Sequence, residues 1–511
     1  MNLRLDEAQS IEDKGSNASV VMLMGNDPFT LASVEQIVAS CLEIGETWVI
    51  DTTSTSVAAT ETYFVPFLKL TKYKSPPMGV QEYFEALGAT FVEMNANGGQ
   101  EVESKYANST EITQAIESAL ITCFRHHNPL GKIPKANKYV NAFRNEALLI
   151  ERALSEFFRE NEKINEIYIP NGRFPSQKII SLVAEDFGIE TKFYERGEPP
   201  RGIYLQPYPP QDRIRSQEAA VSITQNLSDS KIARVASEWI STRRNPNNTN
   251  NEFSALWSPT KKFDKMQNIK NSVYKKRAGF FTSSQDEFLH LGPEWQRHSW
   301  TSQVEAFDIT MSRLESAGYE LIMRVHPNLA TKAHSYFKTE VKELTWLVNR
   351  HPELRIIWHD ESINTYELLD EIDVCFVWDS TVGLEASAMG IPTWTFATTR
   401  YGLVADIKEV LSEFELPQLN FEWDVNPHGA SRFINYLLMR DVQMQTSPSQ
   451  FVSWDLDKEP LIIQLSKVLT SGGAISPMEG IRATIDPYRN RNMQANIKFA
   501  RQRIKSLFGK I

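Results

Sequence analysis

Cysteine is nearly absent from this chain, with three in 511 residues. Cys41, Cys123 and Cys375 are scattered and odd in number, and each falls within an apolar helix or strand pattern. They read as small buried hydrophobes, so neither a disulfide framework nor a redox site is expected. Also missing is any apolar run approaching the ~18 residues that a bilayer span requires. The polar, acidic opening from Met1 to Asn17 has neither the basic nor the apolar region of a secretory signal, and a cytoplasmic protein is expected. An excess of positive charge is lacking too. The formal net charge is −10, whereas a general nucleic-acid binder needs a basic surface to displace counterions.

What the chain does have is alternation. Its length exceeds one ordinary core, so two domains with connecting structure are expected. From Leu321 to Phe396 the sequence runs strand, helix, strand, helix, the signature of a parallel sheet with helical crossovers. The strands end in polar residues: His326-Pro327-Asn328 after the first, His359-Asp360-Glu361 after the second, Asp379-Ser380-Thr381 after the third. In an open sheet of this kind, ligands bind beyond the carboxyl ends of the strands. Ser380-Thr381-Val382-Gly383 also starts a helix, whose free N–H groups and positive dipole end suit a phosphate.

The first half repeats the plan. Ala18 to Met24, Thr47 to Ile50 and Ala89 to Met94 read as strands, and Glu166 to Ile169 and Glu190 to Tyr194 continue the sheet, ending in Asn171-Gly172-Arg173 and Glu195-Arg196-Gly197. A helical pattern covers Asp212 to Trp239, and the polar run from Asn245 to Asn251 marks a linker. The division expected is a first α/β domain over 1–244, a linker over 245–274, a second α/β domain over 275–470 and a basic helical tail over 471–511. That tail carries eight Lys or Arg against two acids, with Met493, Ile497, Ala500, Ile504 and Leu507 on one helical face. It would dock on the body or lie against anionic membrane lipid.

The patterns Phe280-Phe281-Thr282-Ser283-Ser284, Arg324-Val325-His326-Pro327-Asn328 and Val377-Trp378-Asp379-Ser380-Thr381-Val382-Gly383-Leu384-Glu385-Ala386 resemble the bacterial capsule and surface-polysaccharide glycosyltransferases of GT-B type. That group includes the Kdo transferases and is distantly similar to bacterial sialyltransferases. The resemblance implies two Rossmann-type doubly wound domains facing a cleft. It also implies transfer of a sugar, such as Kdo from a CMP donor, onto a surface glycan or glycolipid without a metal. Donor contacts would come from Ser283, Ser284, His326, Pro327, Asn328, Asp379, Ser380, Thr381, Gly383 and Glu385, with His326 aimed at the phosphate and Glu385 at the ribose.

Transfer needs a group to take the acceptor's proton. Asp27, in the loop after the first strand, is the leading candidate and Glu195 the second, while Asn171, Gly172 and Arg173 would bind substrate. Plainer readings stay open: a turn at Asn171-Gly172, a helix cap at Ser380 and a first-turn acid at Glu385. Asp455-Leu456-Asp457 follows the second sheet instead of ending a strand, and His126-His127 lacks further zinc ligands nearby, so no metal and no other cofactor is expected. The rival readings are a sugar-nucleotide 2-epimerase and a non-catalytic nucleotide- or glycan-binding subunit of an export complex.

Overall fold

The strand Ala18–Leu23, sequence ASVVML, is buried at every position, as expected of a parallel strand covered on both faces. The computed structural model describes residues 17–25, 28–53, 79–94, 104–124, 126–134, 136–197, 202–245, 276–284, 289, 291–327, 329, 334–361, 363–418 and 421–443. In chain order the front strands are β1 (Ala18–Leu23), β2 (Glu46–Asp51), β3 (Thr90–Glu93), β4 (Ile164–Pro170), β5 (Glu190–Arg196) and β6 (Gly202–Gln206). The rear strands are β7 (Arg277–Phe281), β8 (Glu320–Arg324), β9 (Arg355–Ile357), β10 (Val374–Val377), β11 (Thr393–Thr395) and β12 (Lys408–Glu409), followed by a last short strand, β13 (Asp441–Gln443).

The helices used below are α1 (Pro28–Leu42), α2 (Val80–Leu87), α3 (Thr110–Phe124), α4 (Ala136–Glu160), α5 (Pro175–Asp186), α6 (Arg213–Thr224) and α7 (Asp229–Arg244) in the first half. In the second half they are α8 (Gln303–Ser316), α9 (His334–Arg350), α10 (Thr365–Leu369), α11 (Thr381–Ala388) and α12 (His428–Arg440).

Both expected doubly wound sheets are present. The front sheet has the order β13-β6-β5-β4-β1-β2-β3 and the rear sheet β12-β11-β10-β7-β8-β9. Counting from the first strand of each, both follow the order of a dinucleotide-binding fold, which reverses direction beside that strand. The reversal falls between β1 and β4 in front and between β7 and β10 behind, and both pairs are parallel. Alternate residues fill the two faces of the front sheet: Val20 and Met22 pack beneath α3, α4 and α5, whereas Val21 and Leu23 meet α1 and α2.

Two departures from the expected division have simple causes. Residues 212–239 form two helices because the Ser228 side chain accepts the Lys231 N–H at 3.3 Å and starts α7 afresh. These helices, expected within the 1–244 domain, pack with the rear lobe: Ala220, Ala236, Trp239 and Ile240 share a cluster with Ile322, Val377 and Leu384. In the other direction, β13 lies inside the stretch 275–470 but pairs antiparallel with β6 and extends the front sheet. The linker beyond Asn245 and the basic tail lie outside the described residues.

The lobes also meet directly. Trp295 Nε1 donates to the Gln211 carbonyl at 2.9 Å. His126 and His127 at the end of α3 set their rings against Tyr336 of α9, with centroids 5.9 and 5.4 Å away. Among the described residues no helix is long and apolar enough to cross a membrane.

Candidate functional site at the rear sheet's reversal point

Three strand ends converge where the rear sheet reverses. Thr282 and Ser283 follow β7, the middle strand of the three. The Thr282 hydroxyl accepts the His326 N–H at 2.8 Å from the β8 side, and the Ser283 hydroxyl accepts the Asp379 N–H at 3.1 Å from the β10 side. Ser283 is itself gripped by Gln303 of α8, whose Oε1 takes the Ser283 N–H at 3.0 Å and whose Nε2 donates to Glu340 at 2.8 Å. The loops bearing His326 and Ser380 are thereby fixed to one strand between them.

From β10 the chain turns directly into α11. The Ser380 side chain caps it by accepting the Val382 N–H at 3.3 Å. Ser380 is half-buried and Thr381 exposed, so the helix start opens to solvent. Gly383 lets this helix sit close to the sheet: a Cβ there would come within 2.5 Å of the Tyr401 hydroxyl and 2.9 Å of Val377. A dipole end, the exposed Thr381 residue and a half-buried histidine thus follow the two strands that flank β7.

No family model matches the sequence, and no curated protein does. Solved structures with distant likeness include the Thermosulfurimonas dismutans KpsC beta Kdo 2,4 transferase, 13% identical over 53% of this chain and 80% of that one, with a TM-score of 0.34. The Methanocaldococcus jannaschii UDP-GlcNAc 2-epimerase bound to UDP-GlcNAc and UDP is 12% identical over 83% of this chain and 99% of that one, with a TM-score of 0.27. A Rickettsia africae glycosyltransferase is 10% identical over 95% and 100%, with a TM-score of 0.28.

Buried polar groups stand close in sequence or in space to these strand ends. Arg324, the last residue of β8, is 2% exposed and donates through Nη1 to the Trp358 carbonyl at 2.5 Å, while its Nε and Nη2 are buried without a partner among the described residues. Burial pushes its pKa down against the pull of Glu361 and Asp360, yet a guanidinium keeps its charge. The buried Ser284 hydroxyl, expected at the donor, likewise has no partner among the described residues. His298 sets its ring edge-on to Trp378 at 4.7 Å, and burial lowers its pKa. Only a distance in space links His298 to the site, so nothing in its local sequence marks it.

The remaining expected residues fare differently. Glu385, expected at the ribose, is buried and pairs with Arg243 of α7 at 3.2 Å. Arg243 in turn donates to the Tyr366 hydroxyl at 2.9 Å and covers the Trp239 ring. Pro327 is half-buried next to His326, while Asn328 and Asp27 lie outside the described residues.

In the front lobe, Asn171 and Gly172 take left-handed backbone angles, φ 53° and 78°, and a Cβ on Gly172 would strike the Phe193 ring at 2.5 Å. The Glu195 carboxylate, second candidate for the base, accepts from the Asn171 side chain and from the Arg196 N–H, so its visible role is to hold this turn. Arg173 Nε donates to the Ser118 hydroxyl at 2.5 Å. Cys41 and Cys375 are buried, as expected of inert thiols, and burial raises the Cys41 pKa to about 11. Among the described residues no three metal-ligating side chains gather.

Proposed function

We propose that this chain is a glycosyltransferase that moves a sugar from a nucleotide donor onto a surface or capsular glycan, with the rear reversal point as the seat of the nucleotide. The observation that carries this reading is the joint tethering of the His326 and Asp379 N–H groups to Thr282 and Ser283, beside the open start of α11. As the bond between the anomeric carbon and the phosphate oxygen breaks, its electron pair leaves with the nucleotide. Fixed donors aimed at that oxygen lower the barrier. His326, the Thr381 hydroxyl and the first N–H groups of α11 are those donors, and no metal enters the scheme.

The acceptor hydroxyl attacks the anomeric carbon from the front lobe and gives up its proton to a carboxylate, for which Asp27 remains the first choice. By resemblance the favoured donor is a CMP-activated acidic sugar such as Kdo, and the acceptor a polysaccharide or lipid-linked glycan at the inner face of the membrane. Two experiments test the reading. A thermal-shift panel of CMP, CDP, UDP, GDP and ADP should show stabilisation by at least one, since a ligand that binds only the native state raises its stability. His326→Ala should then abolish transfer while the protein stays folded; unchanged turnover discards the site. Product formed from donor alone, with no acceptor, would make the enzyme a 2-epimerase instead.

A further inference from the structure

A cavity of about 190 Å³ lies between the lobes, away from the helix start of α11 in sequence and lined from three sides. Glu111, Gln114, Arg173 and Lys178 come from the front lobe, Asp212 from the connection and Glu294 from the rear lobe. The volume is below the roughly 300–1,000 Å³ of pockets that enclose drug-sized ligands, so a whole nucleotide sugar does not fit. A single sugar ring does.

The chemistry of the walls narrows the ligand. Lys178 lies in the first turns of α5, half-buried, and its ammonium makes no hydrogen bond or ion pair among the described residues. Burial lowers its pKa, with Glu111 and Glu294 pulling the other way from a distance. An ammonium has three donors to satisfy, and a lysine so placed in a cleft is a site candidate. Asp212 is taken up by α6, accepting the Arg215 N–H at 3.0 Å and pairing with its guanidinium at 3.5 Å. That leaves two cations facing two acids, a wall of donors and acceptors in near balance. An anion would meet the carboxylates, and an apolar ligand would strand all four charges. A neutral polyol satisfies both kinds of group, and Pro209 and Leu291 supply apolar surface for its C–H face.

We propose that this cavity holds one neutral sugar ring, the terminal unit of the acceptor, and that Lys178 selects and orients it through its hydroxyls. The site is defined by its own walls; calling the ring an acceptor rests on the transferase reading above. It places the acceptor on the front-lobe side, with the donor seat across the cleft.

Saturation-transfer NMR on the full chain with millimolar D-glucose, D-galactose, N-acetylglucosamine or D-glucuronate tests it. At least one neutral sugar should receive saturation, and Lys178→Met should weaken that binding tenfold or more. Gln114→Phe, which fills the cavity from the neighbouring helix α3, should do the same if Lys178→Met proves poorly folded. Saturation of no neutral sugar, of glucuronate alone, or binding that survives both substitutions overturns the proposal. Wild-type protein that binds a neutral sugar in this cavity but is stabilised by no nucleotide would keep the sugar site and remove the transferase reading.

Discussion

The Thr282 hydroxyl accepts the His326 backbone N–H at 2.8 Å, so the loop carrying the histidine is held by the neighbouring strand and not by its own. The next residue does the same for the other neighbour, through Ser283 and Asp379. Two consecutive hydroxyls just after β7 therefore set the spacing of the proposed phosphate site.

Thr282→Val keeps the shape and removes the acceptor that the part-buried His326 N–H uses. The expected cost is about 1–3 kcal/mol in urea unfolding, together with weaker nucleotide stabilisation in the thermal-shift assay. Thr282→Ser, which restores the hydroxyl, should recover most of both.

Glu385→Leu should destabilise the fold by up to roughly 3 kcal/mol, because it removes the carboxylate partner of the mostly buried Arg243, which then keeps only the Tyr366 hydroxyl and the Trp239 ring. Pairing it with Arg243→Met removes both charges, and the double variant should melt above Glu385→Leu alone. A nucleotide-induced shift that survives in the double variant would support a structural carboxylate, and its selective loss would return Glu385 to the ribose.

Gly172→Ala should cost about 1–3 kcal/mol, since its left-handed angle is strained for any side chain and the Phe193 ring blocks the Cβ. Chemical denaturation reads this directly. Phe193→Leu in the same chain should relieve the clash but not the angle.

Acid sensitivity should trace in part to His298. Burial holds its pKa below the usual 6.5, so the unfolded chain takes up its proton first as pH falls. Its contribution to stability is intact above about pH 6.5 and is lost below it, and His298→Phe should flatten the decline of melting temperature between pH 6.5 and 5.

The sheets were legible because buried parallel strands are short unbroken apolar runs, such as Val374–Val377, and because polar residues crowd their carboxyl ends. Which lobe a helix joins was not legible. The apolar residues of α7, Ile232, Ala236, Trp239 and Ile240, declare that one face will be buried, without naming the sheet that buries it. Three-residue β13 is too short to show any period. Glu385 looked like a free first-turn acid because its partner Arg243 is distant in sequence. Nothing in the sequence singled out Lys178, because the rear-lobe residues Leu291 and Glu294 that help enclose it are distant in the chain.

The pairing of β13 with β6 has a mechanical consequence. The chain leaves the front lobe after Gln206 and re-enters it at Asp441, opposite Tyr204, so both passages lie side by side along one margin of the front sheet. Arg440 clamps this margin by covering the Tyr204 ring at 3.8 Å. Bodies tied twice along the same seam open and shut like the covers of a book, and any sideways slip would have to tear the seam first.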